Sequence, residues 1–184
     1  QLNLRKNTLI IFASDNGAAI QAPIKILNCN AGFKGRKGTL YEGGIRVPFI
    51  VNQPGMVPIQ TLDNLIYFPD MMPTLAALAK GTKHLPKQIN GINILPLFYG
   101  KQVDTDNRLL YWEFPGKQRA ARKGDWKCVT IHPNQPLELY NLKEDPEETN
   151  NLAKKYPRRV KEFDEEMQRM HIPTPNWPQP GEQF

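Results

Sequence analysis

The sequence predicts an α/β chain: a strand-and-helix part over residues 1–105, then a small four-stranded antiparallel sheet with a C-terminal helix over residues 106–184. Three observations carry this prediction. The continuous apolar run Thr8-Leu9-Ile10-Ile11-Phe12-Ala13 reads as a strand buried on both faces, the pattern of a parallel sheet covered by helices. Between residues 62 and 79, Leu62, Leu65, Ile66, Met72, Leu75, Leu78 and Ala79 recur at helical spacing. Beyond residue 107, short β-branched and aromatic runs with turn residues between them replace that pattern and end in an amphipathic helix.

Each element follows in order. The first strand ends in the turn-forming Ser14-Asp15-Asn16-Gly17, and ligands of open α/β sheets gather at the carboxyl ends of strands. Residues 18–44 are aperiodic and rich in glycine and basic residues. Residues 45–52 read as a second strand, with Pro48 favouring an edge or a strand start. Pro73 divides the helical stretch in two, and Asp70 is placed to cap the second helix. Residues 100–107 mark a boundary. Strands are expected at 109–114, 119–122, 126–131 and 137–142. Asp145-Pro146-Glu147-Glu148 has the signature of a helical turn, with an Asp cap and a Pro at the first position. A helix at 157–170 aligns Val160, Phe163, Met167 and Met170 on one face, and the Pro-rich tail from Ile172 is expected to be extended surface chain.

Composition excludes several classes. No run approaches the roughly 18 apolar residues that a bilayer span needs. Cys29 and Cys128 allow at most one disulfide, so this is no disulfide-stapled scaffold. Lys+Arg 24 against Asp+Glu 18 gives 24 − 18 = +6. Acidic residues are interspersed, and the basic stretch 119–127, broken by Ala120, Ala121, Gly124 and Asp125, reads as a solvated face. The chain starts at Gln1 with no leader pattern, so its terminus is expected to come from processing or cleavage, or to lie inside a longer chain.

Two segments offer chemistry. Asp15 and Asn16 are adjacent hard oxygen donors of the kind that suit Ca²⁺ or Mg²⁺, and they equally suit an ordinary Asx turn. Residues 35–48 combine glycines with Lys37, a compact charge for an oxyanion, yet lack phosphate-loop spacing. Glu42 and Arg46 are expected to pair or to cap the turn. His84, His132 and His171 neighbour no nucleophile, and neither cysteine has metal-ligand spacing; Cys128 reads as core. Tyr111, Trp112 and Trp126 lie in predicted strands, where packing is the commoner role.

Six motifs in order change the reading. They are Phe12-Ala13-Ser14-Asp15-Asn16-Gly17, Lys37-Gly38-Thr39-Leu40-Tyr41-Glu42-Gly43-Gly44-Ile45-Arg46-Val47-Pro48, Asp70-Met71-Met72-Pro73-Thr74-Leu75, Gly91-Ile92-Asn93-Ile94-Leu95-Pro96-Leu97, Arg122-Lys123-Gly124-Asp125-Trp126-Lys127 and Glu138-Leu139-Tyr140-Asn141-Leu142-Lys143-Glu144-Asp145-Pro146. With them the chain resembles, from about residue 7 to residue 170, the C-terminal part of a type I, arylsulfatase-like sulfatase of the alkaline-phosphatase-like superfamily.

The resemblance implies an alkaline-phosphatase-like sandwich, a mixed sheet with flanking helices, of which this chain is the C-terminal portion. It implies that Asp15 and Asn16 ligate Ca²⁺, that Lys37 contacts the sulfate ester, and that the substrate is a sulfate ester, sulfated glycans included. The family's formylglycine nucleophile arises in a Cys-x-Pro/Ala-x-Arg motif that these 184 residues lack, so it and the remaining calcium ligands are expected in a missing N-terminal part. The chain alone is expected to be inactive. The same resemblance implies a periplasmic, secreted or lysosomal protein with no nucleic-acid partner. Two alternatives remain: a phosphodiesterase or phosphonate hydrolase of the superfamily, disfavoured by Asn16 where dizinc members carry His, and a non-catalytic polyanion-binding remnant.

Overall fold

The computed structural model describes residues 2–114, 118–132, 134–175, 178, 182 and 183. In chain order come strand β1 (Ile10–Ala13), the short helices α1 (Ile24–Leu27) and α2 (Glu42–Ile45), strand β2 (Phe49–Asn52) and helix α3 (Met71–Leu78). The short helix α4 (Leu95–Phe98) follows, then strands β3 (Leu109–Phe114), β4 (Gln118–Lys123), β5 (Trp126–Thr130) and β6 (Glu138–Asn141), and finally helix α5 (Pro157–Met170). Among the described residues, no helix is long and apolar enough to cross a membrane.

The chain divides into two compact units, Gln1–Ala13 with Phe49–Asn107, and Ser14–Pro48 with Arg108–Phe184. The boundary expected at 105/106 leaves residues 14–48 with the first part, whereas here they pack with the second. Side-chain burial explains the grouping: Leu40 and Tyr41 share a core with Ala120, Val129, Tyr140 and Leu142.

In the first unit β1 and β2 run antiparallel, with Phe12 opposite Ile50. Ile11, Phe49 and Val51 pack on Ile94, Leu97 and Phe98, and the Phe49 and Phe98 rings lie 6.2 Å apart. The alternate residues Ile10, Phe12 and Ile50 are exposed. The strand expected at 8–13 therefore forms, but it pairs antiparallel and buries one face only, because a single layer of chain lies against it. The strand expected at 45–52 begins after Pro48, since Ile45 still belongs to α2. One α-helix, not two, lies within 62–79, preceded by a 3-10 turn at Phe68–Asp70: Pro73 falls in the first turn of α3, where a missing N–H breaks no helical hydrogen bond. Asp70 stands at the N-cap position of α3, but its side chain makes no capping hydrogen bond to that helix. Its fully buried carboxylate accepts instead from the Tyr67 N–H (3.0 Å) and the Ile92 N–H (2.9 Å), which ties the start of the helix to the 91–94 segment.

The second unit is built on the four predicted strands in the order β3-β4-β5-β6, each pair antiparallel. Ala120, Val129 and Tyr140 face one side. The next residues along each strand, Ala121, Cys128 and Leu139, face the other, where Phe163 and Met167 of α5 cover them. Helix α5 forms as its periodicity predicts, with Met170 left exposed. Cys128 is core, and burial pushes its thiol up to about 12. A turn does close over 145–148, the Glu148 N–H donating to the Asp145 carbonyl (3.2 Å), but no helix grows from it. Glu148 adopts a left-handed backbone (φ 56°), which stops a helix there, and Asp145 spends its carboxylate on the N–H groups of Thr149 (3.0 Å) and Asn150 (2.8 Å). Of the expected extended tail, residues 176, 177, 179–181 and 184 lie outside the described residues.

Candidate active site

Asp15, Asn16 and Lys37 all lie in the second unit, on two loops that the backbone locks together. Within the first loop the Ser14 hydroxyl donates to the Asn16 carbonyl (2.8 Å). The Gly17 N–H donates to the Gly44 carbonyl (2.9 Å), and the Lys37 N–H donates to the Ala18 carbonyl (2.9 Å). These contacts demand glycine. A Cβ on Gly17 would lie 1.8 Å from the Gly43 carbonyl oxygen, and one on Gly44 would lie 2.0 Å from that of Thr39. Gly38 supplies the tight turn after Lys37 at φ 90°. Asp15 and Lys37 remain exposed and Asn16 is half-buried, so their polar groups are open to a ligand.

Asp15 and Asn16 fit a hard cation by donor type, a carboxylate beside an amide oxygen. They are two donors, whereas Ca²⁺ takes about six to eight oxygens. Among the described residues no group of three or more His, Cys, Asp or Glu could hold a metal.

Below the Lys37 loop lie charges that the sequence does not reveal. Glu42, the first residue of α2, is buried, and its Oε1 accepts from the Lys127 ammonium at 2.9 Å. Lys127, on β5, has no exposed side-chain surface and pairs also with Glu148 Oε1 at 2.9 Å. Glu148 Oε2 in turn accepts from the Glu42 N–H at 2.6 Å. Arg122 and Arg46 reach Glu42 Oε2 at 3.6 and 3.8 Å, so the expected Glu42–Arg46 pair exists as the weakest member of a larger cluster. Burial, working against Lys127, holds the Glu148 carboxyl above the usual range.

A second cluster flanks the loop. The Lys34 ammonium sits 4.1 Å from the Tyr41 ring centroid, 3.3 Å from Glu138 Oε2 and within hydrogen-bond reach of the Tyr140 hydroxyl (2.9 Å). Both tyrosine hydroxyls donate to Glu138 Oε2 at 2.7 Å. Burial acts to raise the Glu138 pKa, but the two hydroxyls and Lys34 outweigh it and hold the carboxyl low. The tyrosines move up, first by burial and then by the nearby carboxylate. One sequence signal points to both clusters: Tyr41-Glu42 stands in the same motif as Lys37, and Lys127 and Glu138 close or open two others.

Residues 33–172 match the family described as N-sulphoglucosamine sulphohydrolase, C-terminal. A sulfatase of Formosa agariphila is 32% identical over 84% of this chain and 30% of its own length. An N-acetylgalactosamine-6-O-sulfatase of Bacteroides thetaiotaomicron is 30% identical over 89% of this chain and 36% of its own. A crystal structure solved in complex with a neocarrahexaose aligns with a TM-score of 0.77 at 26% identity, over 97% of this chain and 40% of that one. The chain thus spans about a third of the length of the curated relatives it matches. With the family model covering most of the second unit and the solved fold matched nearly end to end, this chain belongs to the C-terminal family of N-sulphoglucosamine sulphohydrolase, within the sulfatases of the alkaline-phosphatase-like fold.

Proposed function

We propose that this chain is the C-terminal portion of a sulfuric ester hydrolase acting on sulfated sugars, and that it supplies part of the sulfate and calcium site. The observation that supports this reading best is the pair of interlocked loops, which keeps Asp15, Asn16 and Lys37 open in one unit. Lys37 presents a compact ammonium to a sulfate oxygen, where it offsets repulsion between the ester and an incoming nucleophile. Asp15 and Asn16 would hold Ca²⁺, whose charge, when bound, neutralises sulfate oxygens. The Glu42–Lys127–Glu148 cluster fixes the loop that carries Lys37. The nucleophile and the other calcium ligands belong to an N-terminal part, so the 184 residues alone turn over no sulfate ester. The sulfated-sugar assignment draws on the N-acetylgalactosamine-6-O-sulfatase relative and on the oligosaccharide-bound neighbour.

The test starts with the intact mass and N-terminal sequence of the native gene product, followed by assay of that product on sulfated sugars. Calcium-dependent turnover is expected, with Lys37→Ala lowering kcat/KM by about 10²–10³. A native product that begins near Gln1, or a Lys37→Ala enzyme as fast as the wild type, would overturn the reading.

A further inference from the structure

A basic stretch that this reaction does not use lies at the start of α5. Lys154, Lys155, Arg158, Arg159 and Lys161 put five cations into eight residues, and all five are exposed. Two lie against rings: the Arg159 guanidinium carbon is 4.4 Å from the Trp126 centroid, and the Lys155 ammonium is 5.3 Å from that of Tyr156. The two rings meet edge to face at 5.3 Å. A ring contact orders a cation without cancelling its charge. Among the described residues, Lys161 alone of the five has a carboxylate in ion-pair range, Glu165 at 3.8 Å and itself exposed.

Helix stability does not explain the stretch. Arg158 and Arg159 occupy the positive end of the helix dipole, where no acidic residue stands in the first turn and cations are destabilising. Beside the cations opens a cavity of about 450 Å³, lined by Trp126, Tyr156, Asn141, Thr149, Asn150 and Lys155. Glu144, Asp145 and Leu152 complete its wall. The Asn141 and Asn150 amides and the Glu144 carboxylate suit sugar hydroxyl groups, and ring edges suit sugar C–H faces, while Thr149 and Asp145 hydrogen-bond each other. The carboxylates repel anionic groups from the cavity itself, which suits an uncharged sugar ring there with its sulfates on the flanking cations, and Arg159 lies over the Trp126 ring on which a base would stack.

We propose that this face binds a segment of a sulfated glycan, with a sugar ring in the cavity and sulfate groups on Lys154, Lys155, Arg158 and Arg159. It shares no residue with Asp15, Asn16 and Lys37, and gives a polymeric substrate a second hold. The ligand class rests on the sulfated-sugar reading above.

The test uses the native full-length protein, a fluorescent chondroitin sulfate dodecasaccharide read by anisotropy across a salt series, and turnover of a small sulfated monosaccharide. The variant Lys154→Gln/Lys155→Gln/Arg158→Gln/Arg159→Gln is expected to weaken dodecasaccharide binding at least about tenfold and to lower the log–log salt slope by about 2–3, with monosaccharide turnover unchanged. A control, Lys80→Gln/Lys83→Gln/Lys87→Gln/Lys101→Gln, removes the same charge from other exposed positions and is expected to bind within about twofold of the wild type. Equal loss in both variants, no loss in the first, or duplex DNA bound as tightly as the dodecasaccharide overturns the proposal. The sulfatase reading fails separately: a wild type that hydrolyses no sulfate ester but loses glycan binding in the first variant sinks that reading and upholds this face.

Discussion

Lys127 has no exposed side-chain surface, and two carboxylates from separate segments, Glu42 and Glu148, hold its ammonium at 2.9 Å each. Such a triad gains little over a well-packed apolar replacement, but losing one member leaves charge stranded. Lys127→Met would leave two buried carboxylates facing each other. It is expected to cost about 3–5 kcal/mol in urea denaturation of the full-length protein. A cost below about 1 kcal/mol would show that the carboxylates are hydrated after all. Glu138 gives a pH signature of its own. Burial works against its charge, the Tyr140 and Tyr41 hydroxyls and Lys34 work for it, and the net result is a folded pKa below the ordinary 4.5. Its stabilisation is therefore present above pH 4.5 and lost as pH falls through the lowered folded value. Glu138→Gln is expected to be less stable than the wild type at pH 6–7, with the gap closing as the pH drops below 4.5. A gap independent of pH would mean that the carboxylate charge contributes nothing.

At the scale of elements, α2 and the loop before it act as one rigid piece. Gly44 lies so near the Thr39 and Arg36 carbonyl oxygens that a Cβ would stand 2.0 and 2.6 Å from them. Gly44→Ala must push the Lys37 loop, so it is expected to cost about 1–3 kcal/mol and to depress sulfate-ester turnover as well. A variant of full stability and full activity would show that the loop yields freely. This piece was only half legible in the sequence. Its glycines and Lys37 stand out, whereas a buried Lys127 does not, because lysine reads as a surface residue until a structure places carboxylates around it. The four strands and α5 were legible throughout, since period-two and period-3.6 patterns each have one sheet face or helix stripe to bury. The strand at 8–13 was legible as a strand but not in its pairing, because apolar content does not state which neighbour arrives. The 145–148 turn forms but no helix grows from it, and a cap signature looks the same in either case. The stretch 119–127, which draws attention by charge, buries Lys127, while the denser cations of 154–161 stay in solvent.

At the scale of the molecule, the first unit decides how this chain behaves. Its β-hairpin covers one face with Ile94, Leu97 and Phe98 and leaves Ile10, Phe12 and Ile50 side by side on the other, at 45%, 60% and 58% exposure. Around α3, Phe68, Met72 and Leu75 recur at four- and three-residue spacing and are also exposed, while Asp70, Pro73 and Thr74 are buried. A strand pair with open edges and an uncovered apolar face invites pairing with another chain. Under the proposed function an N-terminal part of the same protein covers these surfaces, and the 184 residues made alone are expected to self-associate. Sedimentation of that product should give species larger than the 21.1 kDa monomer, with strong binding of a hydrophobic dye. Co-expression with the N-terminal part should return one complex of defined mass and abolish dye binding. Should the isolated chain instead sediment as a dye-negative monomer, the exposed faces need no cover, and the case for a two-part sulfatase would rest on the site loops alone.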